Sequence, residues 1–174
     1  MKSAALMRSQ REQKPDWQVF TVAEETPLLK TNGELLIKPH YSFHDHPHID
    51  CLIIPGGATN RLMEKHAVIE WVRKVSQQTQ LNTSVCTGAF LLGLAGLLDG
   101  HDVTTHWGSL DSLAERFPRA TVRRDVRWVD VGNLITAAGI SAGIDMSLHL
   151  VERLAGRELA EAVAHYMEYR WNEQ

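Results

Sequence analysis

Ile49-Asp50-Cys51-Leu52-Ile53-Ile54-Pro55-Gly56-Gly57 is a short, nearly continuous apolar run that stops abruptly at Pro-Gly-Gly. A strand covered by helices on both faces has this character, because a parallel sheet leaves neither face to water. Asn60 to Gln80 follows with Leu62, Met63, His66, Ile69, Val72 and Val75 near helical spacing, which predicts a helix. Asn82 to Cys86 reads as a second short strand. A helix follows it at once and runs through Leu98 to a stop at Asp99-Gly100. The rhythm continues with a strand at Val103–Thr105 and a helix from Ser109 to Phe117, closed by Pro118. Val122–Val131 and Asn133–Ala137 read as paired strands around Gly132, and Gly143–Leu154 and Glu158–Trp171 as two closing helices. On the N-terminal side, Trp17–Ala23 is rich in aromatic and β-branched residues and reads as a strand. Leu28–Ile37 carries Asn32-Gly33 between apolar pairs, a hairpin signal because that turn needs positive φ. Strand and helix alternate over short connections, so the class is α/β with a mainly parallel sheet. No linker, repeat or low-complexity stretch divides residues 1–174, which predicts one domain.

Composition narrows the partners. Eighteen Lys+Arg against 21 Asp+Glu leave no basic surplus to neutralise phosphates, so no direct nucleic-acid contact is expected. The longest apolar run, Ala89–Leu98, falls short of the roughly 20 residues a membrane span needs, and the N-terminus turns charged too early for a signal peptide. Two cysteines, Cys51 and Cys86, lack the paired spacing of a metal site or disulfide scaffold, which predicts a cytoplasmic protein with free thiols. There is neither a Walker motif nor a G-x-G-x-x-G after a strand, so nucleotide binding has no support.

The chemistry centres on Thr83-Ser84-Val85-Cys86-Thr87-Gly88-Ala89. Cys86 falls where a strand ends and a helix begins, with Gly88 two residues on to permit a tight turn. The helix's free N–H groups favour a thiolate there, in the geometry of a nucleophile elbow. The backbone amides of Thr87 and Gly57 offer two donors for a developing negative charge. Against this stands the common fate of a small buried cysteine. Cys51, inside an apolar strand with no activating neighbour, is read as packing.

IDCLIIPGG, SVCTGAFLLGLAGLLDG, VTTHW and NLITAAGISAGIDMSLHLVERLAG together resemble the ThiJ/PfpI superfamily of class I glutamine-amidotransferase-like folds. The likeness covers Trp17 to Trp171. It is greatest to the isonitrile hydratase branch and to the amidotransferase-like domains of AraC-type regulators. It implies a flavodoxin-like three-layer α/β/α sandwich with Cys86 as nucleophile, Thr87 beside it, and the Gly57 and Thr87 amides as an oxyanion hole. His106 stands where many members carry a histidine near the nucleophile, and is read either as a proton carrier or as a half-buried ring bonded to backbone. Trp107 is read as pocket wall or core, and Gly56, Ala142 and Gly143 as pocket lining. Asp145 is read as a first-turn carboxylate favoured by the helix dipole. His44, His46 and His48 alternate, but Pro47 interrupts them, so a solvated loop is expected rather than a metal site.

The resemblance implies hydration of an isonitrile to an N-substituted formamide, on a small-molecule substrate, without a cofactor or metal, in a homodimer. The alternatives are a non-catalytic ligand-sensing domain related to AraC-type regulators, and a stress-response member acting on reactive carbonyls or damaged proteins. Relative to the family, Met1–Gln13 resembles only the end of the first helix, and Trp17 already opens the second strand. The family's first strand and its acid are therefore expected to be absent. The gap this leaves beside Ile49–Ile54 is expected to close by direct pairing with Trp17–Ala23, or to be filled by another segment or chain.

Overall fold

The computed structural model describes residues 17–31 and 33–173, so Met1–Gln13 and Asn32 of the hairpin lie outside the described residues. Along the chain run β1 (Val22–Ala23), β2 (Leu29–Lys30), β3 (Leu36–Ile37), β4 (Tyr41–Ser42) and β5 (Cys51–Ile54). Helices α1 (Asn60–Met63) and α2 (His66–Ser76) follow, then β6 (Leu81–Val85), a 3-10 turn at Cys86–Gly88 and α3 (Ala89–Leu94). The second half comprises β7 (Asp102–Val103), a 3-10 turn at Trp107–Ser109, α4 (Leu110–Arg116), β8 (Thr121–Val122), β9 (Trp128–Asp130), β10 (Leu134–Ala137), α5 (Ser141–Ala155) and α6 (Arg157–Tyr166).

The central sheet has the order β5-β6-β10-β9, with β5, β6 and β10 parallel and β9 antiparallel at one edge. Its period-two alternation divides the core into two halves. Leu52, Ile54 and Leu134 point to one face, where Val68, Ile69, Val72 and Val75 of α2, Leu91 and Leu92 of α3 and Leu113 of α4 cover them. Leu81, Ile135 and Ala137 point to the other, against Met146 and Leu150 of α5. Helices on both faces of a mainly parallel sheet make the flavodoxin-like α/β/α sandwich, each large buried side chain contributing about 1.5–3 kcal/mol. Ala160 and Ala164 bring α6 close along α5.

Several elements are shorter than the sequence suggests, for local reasons. Trp17–Ala23 is a strand only at Val22–Ala23; at Thr21 the carbonyl accepts the His40 and Tyr41 N–H groups, but the N–H goes to a side chain, His40 Nδ1, at 3.1 Å. The hairpin forms, with Leu29 opposite Ile37 and Lys30 opposite Leu36, and among the described residues of its loop Glu34 is left-handed (φ 66°). The Asn60–Gln80 helix is split at Lys65, whose extended backbone (φ −86°, ψ 100°) lets its ammonium reach Glu24. The helix after Cys86 ends at Leu94, where the chain turns to bury Leu98 completely. Asp125 (φ 57°) breaks Val122–Val131 into β8, which pairs with β7, and β9, which pairs with β10.

The expected direct pairing of the first strand with Ile49–Ile54 is not formed. β1 pairs in parallel with β4 instead, and among the described residues β5 joins the sheet through β6 alone, leaving Ile53 49% exposed. The opposite edge is fastened by charge. Asp130 of β9 bonds His149 Nε2 at 2.7 Å and Arg153 Nη1 at 2.8 Å, both from α5. Burial pushes its carboxyl upward, but the bonds from His149 and the Gly132 N–H and the Arg153 charge outweigh it, and the group lies below the ordinary carboxylate range. Its stabilisation is therefore present above the unfolded carboxyl value near 4 and is lost as pH falls through the lower folded value. Asp130→Asn is expected to lower stability at pH 7 by about 1–3 kcal/mol. Thermal melting against pH checks this: the wild type should lose its advantage over the variant on acidification below about pH 4.

Candidate functional site

Val85 closes β6 in extended conformation, and Cys86 then reverses the chain with φ 57°. That left-handed conformation costs a side-chain-bearing residue roughly 1–2 kcal/mol, so its neighbours must hold it. They grip the residue at both ends: the Cys86 N–H donates to Ala138 O at 3.1 Å, and its carbonyl accepts the Thr105 hydroxyl at 2.6 Å. Two glycines make the space. A Cβ on Gly56 would lie 2.6 Å from Cys86 Cβ and 3.2 Å from Sγ, and one on Gly88 would lie 2.3 Å from Ile54 O. The end of β5 thus passes directly under the turn, with Gly56 against the thiol. Cys51 and Cys86 are both free and half-buried, and desolvation pushes the Cys51 thiol above its usual value.

Thr87 begins the helical turn, where its N–H has no intrahelical acceptor. Its hydroxyl pairs with one residue, accepting the Gly57 N–H at 3.1 Å and donating to Gly57 O at 2.9 Å. The Gly57 amide expected in an oxyanion hole is thus engaged by Thr87 rather than open. His106 accepts the Gly108 N–H on Nδ1 at 3.2 Å, which puts the proton of the neutral ring on Nε2. Its ring packs on Gly139, and among the described residues no hydrogen bond joins it to Cys86, so the geometry is that of a half-buried ring bonded to backbone. The contact to the Cys86 carbonyl comes from Thr105, which sequence reasoning passed over as part of a strand. The signal was two adjacent hydroxyls in Val103-Thr104-Thr105, both 1% exposed.

Other expectations need correction. Trp107 is 79% exposed, so it is not core. Ala142 and Gly143 are buried where α5 meets β6, and a Cβ on Gly143 would lie 2.7 Å from Val85 Cγ1, so they pack the sheet rather than line a pocket. Asp145 lies beyond the first turn of α5 and is fully buried. It pairs with Arg127 and accepts the Tyr169 hydroxyl at 3.1 Å and the Asn172 N–H at 3.0 Å, tying the C-terminal segment down. His46 is committed to Trp71 Nε1 and Pro47 O, and His48 lies 3.5 Å from Asp50, while His44 is exposed on the loop. The open cleft beside the turn, of about 490 Å³, is lined by Thr87, Met63 and Phe90, with Asn60, Ser109, Ser112, Glu115 and Arg116 among its polar groups.

Helices on both faces of a mainly parallel sheet, with a cysteine on a left-handed turn at a strand end, place the chain among the flavodoxin-like α/β folds. The DJ-1/PfpI family profile matches residues 4–153, and the chain belongs to that family. It is 39% identical over 156 residues to isonitrile hydratase of Pseudomonas putida, covering 89% of this chain and 67% of that protein. It is 34% identical over 135 residues to the HTH-type transcriptional regulator GbdR of Pseudomonas aeruginosa, covering 78% of this chain and 36% of the regulator. A ThiJ/PfpI family protein from Pseudomonas syringae superposes with a TM-score of 0.82 at 30% identity, over 90% of this chain and 64% of that one. The chain thus spans only part of the length of these relatives. The regulators among them count against the expectation that nucleic acid plays no part. Among the described residues no helix is long and apolar enough to cross a membrane.

Two predictions follow from the turn. Limited iodoacetamide labelling at neutral pH, read by peptide mass spectrometry, should modify Cys86 before Cys51, whose ionisation burial opposes; equal rates would remove the argument for a special thiol. Gly88→Ala should destabilise by about 2 kcal/mol or more, because the opposing atom is the backbone carbonyl of Ile54 and cannot rotate away. Denaturant unfolding measures it, and a neutral result would mean that β5 and the turn are not in contact.

Proposed function

We propose that the protein is a cysteine-dependent hydratase that adds water to an isonitrile and releases an N-substituted formamide. The observation that carries this is the left-handed Cys86 on its turn, in a chain 39% identical to isonitrile hydratase of Pseudomonas putida. In this reading the Cys86 thiolate adds to the terminal carbon of the isonitrile and that carbon takes a proton, giving a thioimidate. Water then adds to the same carbon, and collapse breaks the C–S bond, returning the thiolate and leaving the formamide. One water is added and no electrons are exchanged. The Thr87 N–H, at the start of the turn, is the donor nearest in sequence to the developing charge. Glu115 is the carboxylate among the residues lining the cleft. The same reading takes residues 1–174 as one domain, a cytoplasmic homodimer acting on a small molecule, with its two thiols kept reduced.

A second reading, a ligand-sensing domain, is favoured by the 34% identity to the regulator GbdR over 135 residues. There Cys86 would shape a binding cleft without turnover.

Cys86→Ser separates the two. The swap is nearly isosteric, but a serine hydroxyl is hardly ionised at neutral pH, so formamide formation should drop by about a thousandfold or more while the melting temperature stays near wild type. Retained turnover in the folded variant would move catalysis elsewhere. No turnover by the wild type, together with saturable small-molecule binding, would favour the sensor.

A further inference from the structure

We propose that Thr105 is a positioning residue for Cys86: its buried hydroxyl holds the cysteine peptide in the left-handed conformation that presents the thiol. The inference rests on the reading of Cys86 as the reactive thiol, and assigns to Thr105 a role in that site. The contact is short, 2.6 Å from Thr105 Oγ1 to Cys86 O, and Thr105 is 1% exposed, so water has no access to take its place. The same carbonyl accepts the Ala89 N–H within the turn, while the Cys86 N–H is spent on Ala138 O. A donor from inside the turn cannot fix the turn against the rest of the protein; Thr105 and Ala138 attach Cys86 itself, while the Thr87–Gly57 bonds attach the residue after it.

Thr105 is itself anchored. The Thr104 N–H donates to Thr136 Oγ1 at 2.8 Å, and the Thr104 hydroxyl donates to Arg123 O at 3.0 Å. Hydroxyl links therefore run from the middle of β10 through the Thr104–Thr105 segment to the Cys86 carbonyl. Removing the last link leaves the backbone strain at Cys86 without its outer support. The residue then relaxes toward ordinary φ, and the thiol withdraws from the space that Gly56 leaves open.

The test reads Cys86 directly, without any isonitrile. Wild type, Thr105→Val, Thr105→Ser and Thr104→Val are alkylated with iodoacetamide across pH 5–10, and the Cys86 peptide is followed by mass spectrometry. Thr105→Val, which keeps the shape and loses the donor, should slow Cys86 alkylation at pH 7 about tenfold, because the thiol is no longer held in its presented position. Thr105→Ser should restore the wild-type profile within about twofold, and Thr104→Val, which loses the bond to Arg123 O but keeps the Thr105 hydroxyl in place, should slow alkylation less than Thr105→Val does. A wild-type profile in Thr105→Val, or a Thr105→Ser protein as slow as Thr105→Val, overturns the proposal; the serine arm stands even if the valine variant does not fold. Failure of the hydratase reading would appear separately, as formamide formation that survives Cys86→Ser. If both readings hold, Thr105→Val lowers kcat with KM little changed.

Discussion

The closeness with which the end of β5 passes the turn after β6 is the constraint on which the site depends. The two strands are parallel neighbours in register, Ile54 beside Ser84, so their C-terminal ends arrive together at one edge of the sheet. At that edge only glycine fits at two positions: Gly88 against the Ile54 carbonyl and Gly56 against the Cys86 side chain. With either Cβ present the strands would separate by more than an ordinary packing adjustment allows. Ligands of open α/β sheets bind at the carboxyl ends of strands for this topological reason, and the cleft lined by Thr87, Met63 and Phe90 is at this end.

The two cysteines show what the sheet does with one side-chain type in two places. Cys51 opens β5 on the face covered by α5, and burial opposes its ionisation. Cys86 leaves the end of β6 on a conformation that no pairing partner imposes, supported by bonds from the Ala138 and Thr105 regions. Below it lies a layer of fully buried hydroxyls, Thr83, Ser84, Thr104, Thr105 and Thr136. Thr83 donates to Leu52 O and Thr104 to Arg123 O, so these two join elements through directed bonds where Val or Ile would give only contact area, whereas the Ser84 hydroxyl has no partner among the described residues.

The sheet and its covering helices were legible because their signals are local and periodic: the IDCLII run, the α2 spacing and the break at Pro55-Gly56-Gly57 all report burial directly. The elbow was legible for a similar reason, since a cysteine followed two residues later by glycine at a strand end has few backbone solutions. What was not legible depended on partners distant in sequence. Asp145 reads as a helix-end carboxylate until Arg127 and Tyr169 fold onto it. Trp107 reads as pocket wall or core because tryptophan buries most of its surface on average, yet a 3-10 turn leaves it 79% exposed. Thr105 reads as one more strand residue until the carbonyl 19 positions earlier in the chain arrives above it.

The pairing of Thr87 with Gly57 bears on whether the site turns substrate over or only binds. The Thr87 hydroxyl is engaged by both peptide groups of Gly57, as acceptor of its N–H and donor to its C=O. A substrate atom that sought the hydroxyl proton or the Gly57 amide would have to displace bonds worth about 1 kcal/mol each. The two groups lie in adjacent peptide units joined at Gly57, which holds φ 140°, a region open chiefly to glycine. Turnover by Cys86 needs donors that engage only as charge develops, because interactions made equally well in the ground state lower no barrier. Under the hydratase reading proposed above, the Thr87–Gly57 bonds open as charge develops on the substrate; under the sensing reading they stay closed and shape the cleft.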